Sequence, residues 1–164
     1  MIVKTIQDAL NAQINDEQYA AQLYLAMSVA LESRNFKGFA KWLRIQSAEE
    51  TSHAMRLIDF VLERGGRVEL KALQAPPVEF GGPLQVFEGA LKHEQLVTSK
   101  IHALYEAARS AKDYATEVML HWFISEQVEE EASAGEIVER IKAVGDQGGA
   151  IWYLDKEFGK RSES

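Results

Sequence analysis

The 164-residue chain contains no cysteine. Disulfides, thiolate zinc sites and cysteine-ligated iron–sulfur clusters are thereby excluded, and any metal must be held by oxygen and imidazole nitrogen, which favours harder cations. Proline is scarce: Pro76, Pro77 and Pro83 are the only three, so long stretches on either side carry no residue that would break a helix. Long apolar runs are missing as well. The opening MIVKTIQDALNAQIND has polar side chains every few positions, so neither a signal peptide nor a membrane span is expected, and a cytoplasmic location is the simplest reading. Positive charge is in deficit, with 18 Lys and Arg against 25 Asp and Glu and a formal net charge of -7. That balance argues against a nucleic-acid surface and suits a protein that attracts cations. At 46% apolar and 26% charged, the chain has the make-up of one well-filled domain, 1–164.

The segments free of proline show helical periodicity. Thr5 followed by Asp8 reads as a helix start, and apolar spacing continues to about Arg34 through Leu10, Ile14, Glu17, Ala21, Tyr24, Met27 and Leu31. After a short polar turn over 33–38, a second helix runs from about Phe39 to Arg64 through Leu43, Gln46, Glu50, His53, Leu57 and Phe60, and Gly65-Gly66 ends it. Residues 67–83 have no helical period and form a long connection. Helices of this length reach roughly 40 Å at about 1.5 Å per residue, whereas about 17 extended residues reach roughly 55 Å, so this connection is long enough to cross the bundle. A third helix from Pro83 to about Ala111 carries Leu84, Phe87, Leu91, Glu94, Thr98, Ile101, Tyr105 and Ala108 on one stripe. The fourth, with Asp113 as N-cap, runs to about Val144, with Leu120, Phe123, Gln127, Glu130, Ala134, Ile137, Ile141 and Val144 on its stripe. The four make an all-α bundle over about 5–144 with one long crossover. A short fifth helix over about 150–158 (AIWYLDKEF) has no place in a complete four-helix core and is expected to bury its apolar side against another chain. A polar tail, 159–164, follows.

Each of the four stripes is broken by polar residues near its middle: Glu17, Glu50 with His53, Glu94, and Gln127 with Glu130. Midpoints of packed helices meet at one height, so four carboxylates, an imidazole and an amide converge in a small volume. Like charges so placed repel, and protons or metal ions relieve the repulsion. Two divalent ions would neutralise four carboxylates. Glu50 and His53, one turn apart, point the same way and share one ion while the second carboxylate oxygen reaches a neighbouring one; this donor set suits iron or manganese. Singly, each residue has a plainer explanation: a misjudged register for a Glu, a hydrogen-bonded core histidine for His53, a packed aromatic for Tyr24. Agreement of all four helices in height weighs against those explanations together. Helix four offers Gln127-x-x-Glu130 where a second Glu-x-x-His would complete the di-iron pattern, leaving one ion poorer in strong ligands, as suits iron that must move on after oxidation.

In Glu17, Tyr24, Glu49-Glu50-Thr51-Ser52-His53, Glu94 and Trp122-Phe-Ile-Ser-Glu126-Gln127-Val-Glu129-Glu130-Glu131, the chain resembles the non-haem bacterial ferritins of the ferritin-like di-iron family over essentially its whole length. The resemblance implies that Glu17, Glu50 and His53 hold a first iron and that Glu50, Glu94 and Glu130 hold a second, with Glu50 bridging. It places Gln127 near the dioxygen position and Tyr24 in a hydrogen bond to the site. Glu49, Glu126 and Glu129, with Glu130, match a third iron position on the route to the cavity. The activity implied is ferroxidase: oxidation of Fe(II) by dioxygen or hydrogen peroxide, then storage of ferric mineral in a homo-oligomeric shell of 24 subunits. The fifth helix would line the four-fold axis, which gives Trp152, Tyr153 and Leu154 partners from other chains. Glu117 has only its general position to suggest an access channel. Thr51 stands where bacterioferritins carry a haem-ligating Met, so no haem is expected; rubrerythrins need a four-cysteine domain, and miniferritins lack the C-terminal helix. Rival readings are a di-iron oxygenase or peroxidase in a small oligomer, and a structural bundle that binds metal incidentally.

Overall fold

Five helices account for the regular structure of the computed structural model, which describes residues 2–145 and 148–162. They are α1 (Lys4–Glu32), α2 (Lys37–Glu63), α3 (Pro83–Ser110), α4 (Tyr114–Val144) and α5 (Gly149–Phe158). The ends follow local chemistry. Gly65, at φ 69°, closes α2 with paired bonds from Gly66 N–H to Val61 O and from Gly65 N–H to Leu62 O, the Schellman arrangement. Lys112 takes the same left-handed role after α3, where Asp113 N–H bonds Ala108 O. Asp113 then turns to α4 and accepts from Thr116 N–H at 3.2 Å, as expected of an N-cap. The start of α1 differs from expectation: Val3 is its N-cap and no side chain caps it, so Thr5 and Asp8 lie inside the helix, where Asp8 instead pairs with Lys4 at 2.6 Å.

Two apolar clusters fix the topology. One gathers Met27 and Leu31 of α1, Phe39 and Leu43 of α2, Phe87 and Ala90 of α3, and Ile137 and Ile141 of α4. The other gathers Ile6 and Leu10, Leu57 and Val61, Val97 and Ile101, and Leu120 and Phe123. Read in chain order, α2 and α3 pass from the first cluster to the second while α1 and α4 pass the opposite way. The hairpins α1–α2 and α3–α4 are therefore antiparallel, and the irregular segment 64–82 carries the chain the full length of the bundle so that α2 and α3 run parallel. This is the crossover that the connection's length anticipates. The stripe on α4 is buried as predicted except for exposed Val144. On α1, Ala20 rather than Ala21 is buried, and on α3 the inward face has turned toward Val86, Ala90, Val97 and Leu104, leaving Leu84, Leu91, Thr98 and Tyr105 half-buried. Phe60 is likewise half-buried, with Val61 inward.

The fifth helix corrects the expectation that it finds no place on its own bundle. Ile151 and Leu154 are buried in the first apolar cluster, and Trp152 stacks on Phe36 with centroids 4.3 Å apart. Asp155 accepts from Gly38 N–H at 3.1 Å and Phe39 N–H at 2.8 Å, so the side chain of α5 satisfies the first free N–H groups of α2. The open end of a bundle exposes both apolar side chains and unpaired helix N–H groups, and a short amphipathic helix supplies what each lacks. Leu154 therefore has its partner within the chain, while Trp152 and Tyr153 keep exposed surface. Of the polar tail, 163–164 lie outside the described residues.

Candidate metal centre

Between the two apolar clusters lies a polar layer contributed by all four long helices. Glu17, Tyr24, Glu50, His53, Glu94, Gln127 and Glu130 are each buried, none more than 6% exposed. Every one of these sequence-predicted residues thus faces the interior. Glu17, Glu50 and His53 present donor atoms within 4.8 Å of one another, with His53 Nδ1 3.2 Å from Glu50 Oε2. Gln13 donates to Glu17 Oε1 at 2.7 Å, whereas buried Glu17 Oε2 meets no amide or hydroxyl donor and the Glu17 carboxyl is linked to Glu50 by a proton. Two buried carboxyls joined only by a proton, beside an imidazole, fit a cation that takes the proton's place.

Glu94 is arranged differently. Tyr24 donates its hydroxyl to Oε1, and Gln127 Nε2 donates to Oε2 at 3.1 Å and to the Glu94 carbonyl at 3.2 Å. Both oxygens are held by donors, and Glu94 stands outside the two donor clusters found among the described residues. Gln127 also donates to Thr98 Oγ1 at 3.2 Å, and Thr98 donates to Glu131 at 2.6 Å. Sequence reasoning placed Gln46 on the inward stripe without a role. Its amide donates to Glu130 Oε2 at 2.5 Å and to Glu50 Oε1 at 3.4 Å, so it ties α2 to α4 across the layer. A glutamine one turn before a buried glutamate was the only signal available for it; the same holds for Gln13 beside Glu17.

The second cluster, His53, Glu126 and Glu130, again within 4.8 Å, shares His53 with the first. It opens on a surface cavity of about 290 Å³ lined by Ile45, Ala48, Glu49, Ser52, His53, Trp122 and Glu126. Of the expected third-position residues, Glu126 thus lies with His53 and Glu130, Glu49 borders the cavity, and exposed Glu129 belongs to neither cluster. Glu117 is half-buried in the first turn of α4. His102 and His121 are exposed; His93 is half-buried, and burial followed by the nearby Lys100 lowers it to about 4.

Electrostatics express the crowding. Burial, then the neighbouring Glu50, pushes Glu17 well above the usual carboxylate range. Glu50 is raised by burial and then Glu94, Glu94 is raised by burial, and Glu130 is raised by burial and then Glu94 to about 8. Burial and Glu94 likewise raise Tyr24 well above the phenol range, so its hydroxyl stays a donor. Without a cation the layer holds protons; a cation would take their place.

Comparison with known proteins finds ferritins. A model of the ferritin-like domain matches residues 7–144. The bacterial non-heme ferritin of Bacteroides fragilis is 42% identical over 161 residues, covering 98% of this chain and 100% of the relative. That of Staphylococcus aureus is 37% identical over 162 residues, covering 99% and 98%. A crystal structure of an open-pore ferritin from the hyperthermophilic archaeon Archaeoglobus fulgidus superposes with a TM-score of 0.97 at 48% identity, covering 99% of this chain and 100% of that one.

Proposed function

The chain belongs to the ferritin family, and from that premise we propose that it is an iron-storage subunit which oxidises Fe(II) at the centre between its four helices and passes the product to a mineral core. The observation that carries this is the buried set Glu17, Glu50 and His53, whose donor atoms lie within 4.8 Å of one another and whose two carboxyls are held together only by a shared proton. Fe(II) is the substrate. Glu17, Glu50 and His53 hold one ion; Glu50, by its second oxygen, with Glu94 and Glu130 holds another, once Glu94 exchanges a hydrogen-bond donor for metal.

The protein's contribution is to hold and release protons and to orient donors. Glu17, Glu50, Glu94 and Glu130, all raised by burial, give up protons when Fe(II) arrives, so no net charge is buried. Two such ions supply two electrons to one dioxygen or hydrogen peroxide. Tyr24 and Gln127 position Glu94, and Gln46 positions Glu130 and Glu50. Gln127, unlike a histidine, gives the second ion a weak neighbour, which favours onward movement over retention. Glu126, Glu49 and Glu129, with Glu130, form the path toward the interior of the shell, beginning at the shared ligand His53.

The reading includes a closed homo-oligomer of 24 subunits in the cytoplasm, without haem. Among the described residues no helix is long and apolar enough to cross a membrane. Size-exclusion chromatography of the apoprotein followed by Fe(II) addition in air tests the proposal. Elution at hundreds of kilodaltons rather than near 18.4 kDa, and an amber solution retaining far more than two irons per chain, are expected. A small oligomer that stops at two irons would instead fit an oxygenase or peroxidase.

A further inference from the structure

After α5 the chain turns back along α2. Lys41 Nζ donates to Gly159 O at 3.0 Å, and Gly159 packs so closely on Gly38 that a Cβ at 159 would meet the Gly38 Cα at 2.7 Å. Arg161 is thereby delivered to Glu49 at the edge of the cavity beside the metal centre, and itself lines a neighbouring cavity with Lys41, Arg44, Ile45 and Ala48. Its guanidinium lies over the Trp42 ring, 4.5 Å from the centroid. One nitrogen donates to Glu49 Oε2 at 2.5 Å and the other to Gln46 Oε1 at 3.0 Å. Glu49 borders the cavity that exposes His53 and Glu126, and its charge is felt at Glu130, whose carboxyl it raises. The amide that bonds Arg161 through oxygen is the one that bonds Glu130 and Glu50 through nitrogen. One guanidinium therefore closes a chain running from the C-terminal segment to the buried carboxylates.

On these contacts, and resting on the metal-centre reading above, we propose that Arg161 is a tethered cation that occupies Glu49 in place of a metal ion, so that a cation leaving the centre through this cavity gains Glu49 as a ligand only by displacing the guanidinium. Planar, permanently charged and stacked on an indole, an arginine suits this role better than a lysine. The contact also orients Gln46, keeping its N–H groups toward Glu130 and Glu50 while Arg161 is in place.

Zn(II), which has no redox chemistry, is the probe. Calorimetric titration of the assembled apoprotein measures ions bound per chain and their affinities in the native chain, R161Q, R161K and the double variant E49Q/R161Q. The native chain is expected to fill its buried positions first and to take a further ion at Glu49 only weakly. R161Q should tighten that further ion by about tenfold, the scale of one charge-assisted pair. R161K, which keeps the charge but loses the fork, should tighten it less, and E49Q/R161Q should return it to weak binding. Equal affinity for the further ion in the native chain and R161Q, with the buried positions intact, would overturn the role of Arg161. So would tight binding that persists in E49Q/R161Q. Failure of the buried positions to bind Zn(II) in the native chain would overturn the metal-centre reading itself.

Discussion

Tyr24 of α1 donates its hydroxyl hydrogen to Glu94 of α3, seventy positions away in sequence, and the bond spans the polar layer between the two hairpins. That donor lowers the proton affinity of a carboxyl which burial raises. In Y24F one oxygen of Glu94 loses its donor inside the protein, at a cost of about 1–3 kcal/mol if the carboxyl stays charged, so the group holds its proton instead. Binding of the second Zn(II) should therefore shift to higher pH in Y24F while the first is little changed. Calorimetry from pH 6 to 8 reads both; identical pH profiles for the two proteins would show that Tyr24 does no more than pack.

Glu50 is bonded or adjacent to Gln46, His53, Glu17 and Glu94. E50A removes a ligand common to both proposed ions and should slow the fast phase of Fe(II) oxidation at least tenfold, a lower bound from losses on removing mere supporting groups. Assembly should survive, because Glu50 lies in the interior of its own bundle. Stopped-flow absorbance together with size-exclusion chromatography checks the pair of outcomes, and a native fast phase in E50A would assign the bridge elsewhere.

The raised carboxyls give the apoprotein an unusual pH dependence. Glu130 goes from 4.5 to about 8, and Glu17, Glu50 and Glu94 are raised in the same direction. A group whose folded value exceeds its unfolded value favours folding fully below the unfolded value, and that contribution is lost as pH climbs through the folded one. Asp113 runs the other way: burial alone would raise it, but Arg64 and Thr116 lower it overall, so its contribution is present above 3.8 and is lost only in acid. Between about pH 4.5 and 8 the apoprotein should become steadily less stable as pH rises. Saturating Zn(II) should flatten that slope and release protons on binding. Thermal melts across the range, and titrations in buffers of different ionisation enthalpy, measure the two effects. A melting temperature that increases toward pH 8 without metal would contradict the protonated layer.

The bundle was legible because its two determinants are local. Apolar spacing defines helices, and the regular three-and-four spacing of the α4 stripe from Leu120 to Ile141 needs no tertiary knowledge to place Gln127 and Glu130 inward. The polar breaks at helix midpoints fix the height at which the carboxylates meet. On α3 the stripe was less secure, because Val86, Ala90 and Val97 compete with Leu84 and Leu91 for the core and only the neighbouring helices decide. The docking of α5 was hidden for a related reason: Asp155 acts on N–H groups 116 and 117 positions away, and no periodicity reports that. Arg161 was equally silent, being one cation in a polar tail until the fold carries it to Glu49 and Gln46.

Gly38 gives the docking of α5 a sharp test. A Cβ at this position would lie 1.7 Å from the Asp155 carbonyl oxygen, a backbone atom that has no side-chain freedom with which to yield. G38A must therefore push α5 away from α2, taking Ile151 and Leu154 out of the core and the Asp155 carboxylate away from Gly38 and Phe39. D155A removes the cap alone and should cost about 1 kcal/mol, or about 2–4 °C in melting temperature for a chain of this size. G38A combines the lost cap with exposure of two buried aliphatic side chains, at about 1.5–3 kcal/mol each when fully released. The order native, D155A, G38A in falling thermal stability is expected, with faster amide exchange confined to α5 and the first turn of α2. If G38A melts like the native chain, α5 does not rest on Gly38, and the position of Arg161 a few residues beyond would lose its support as well.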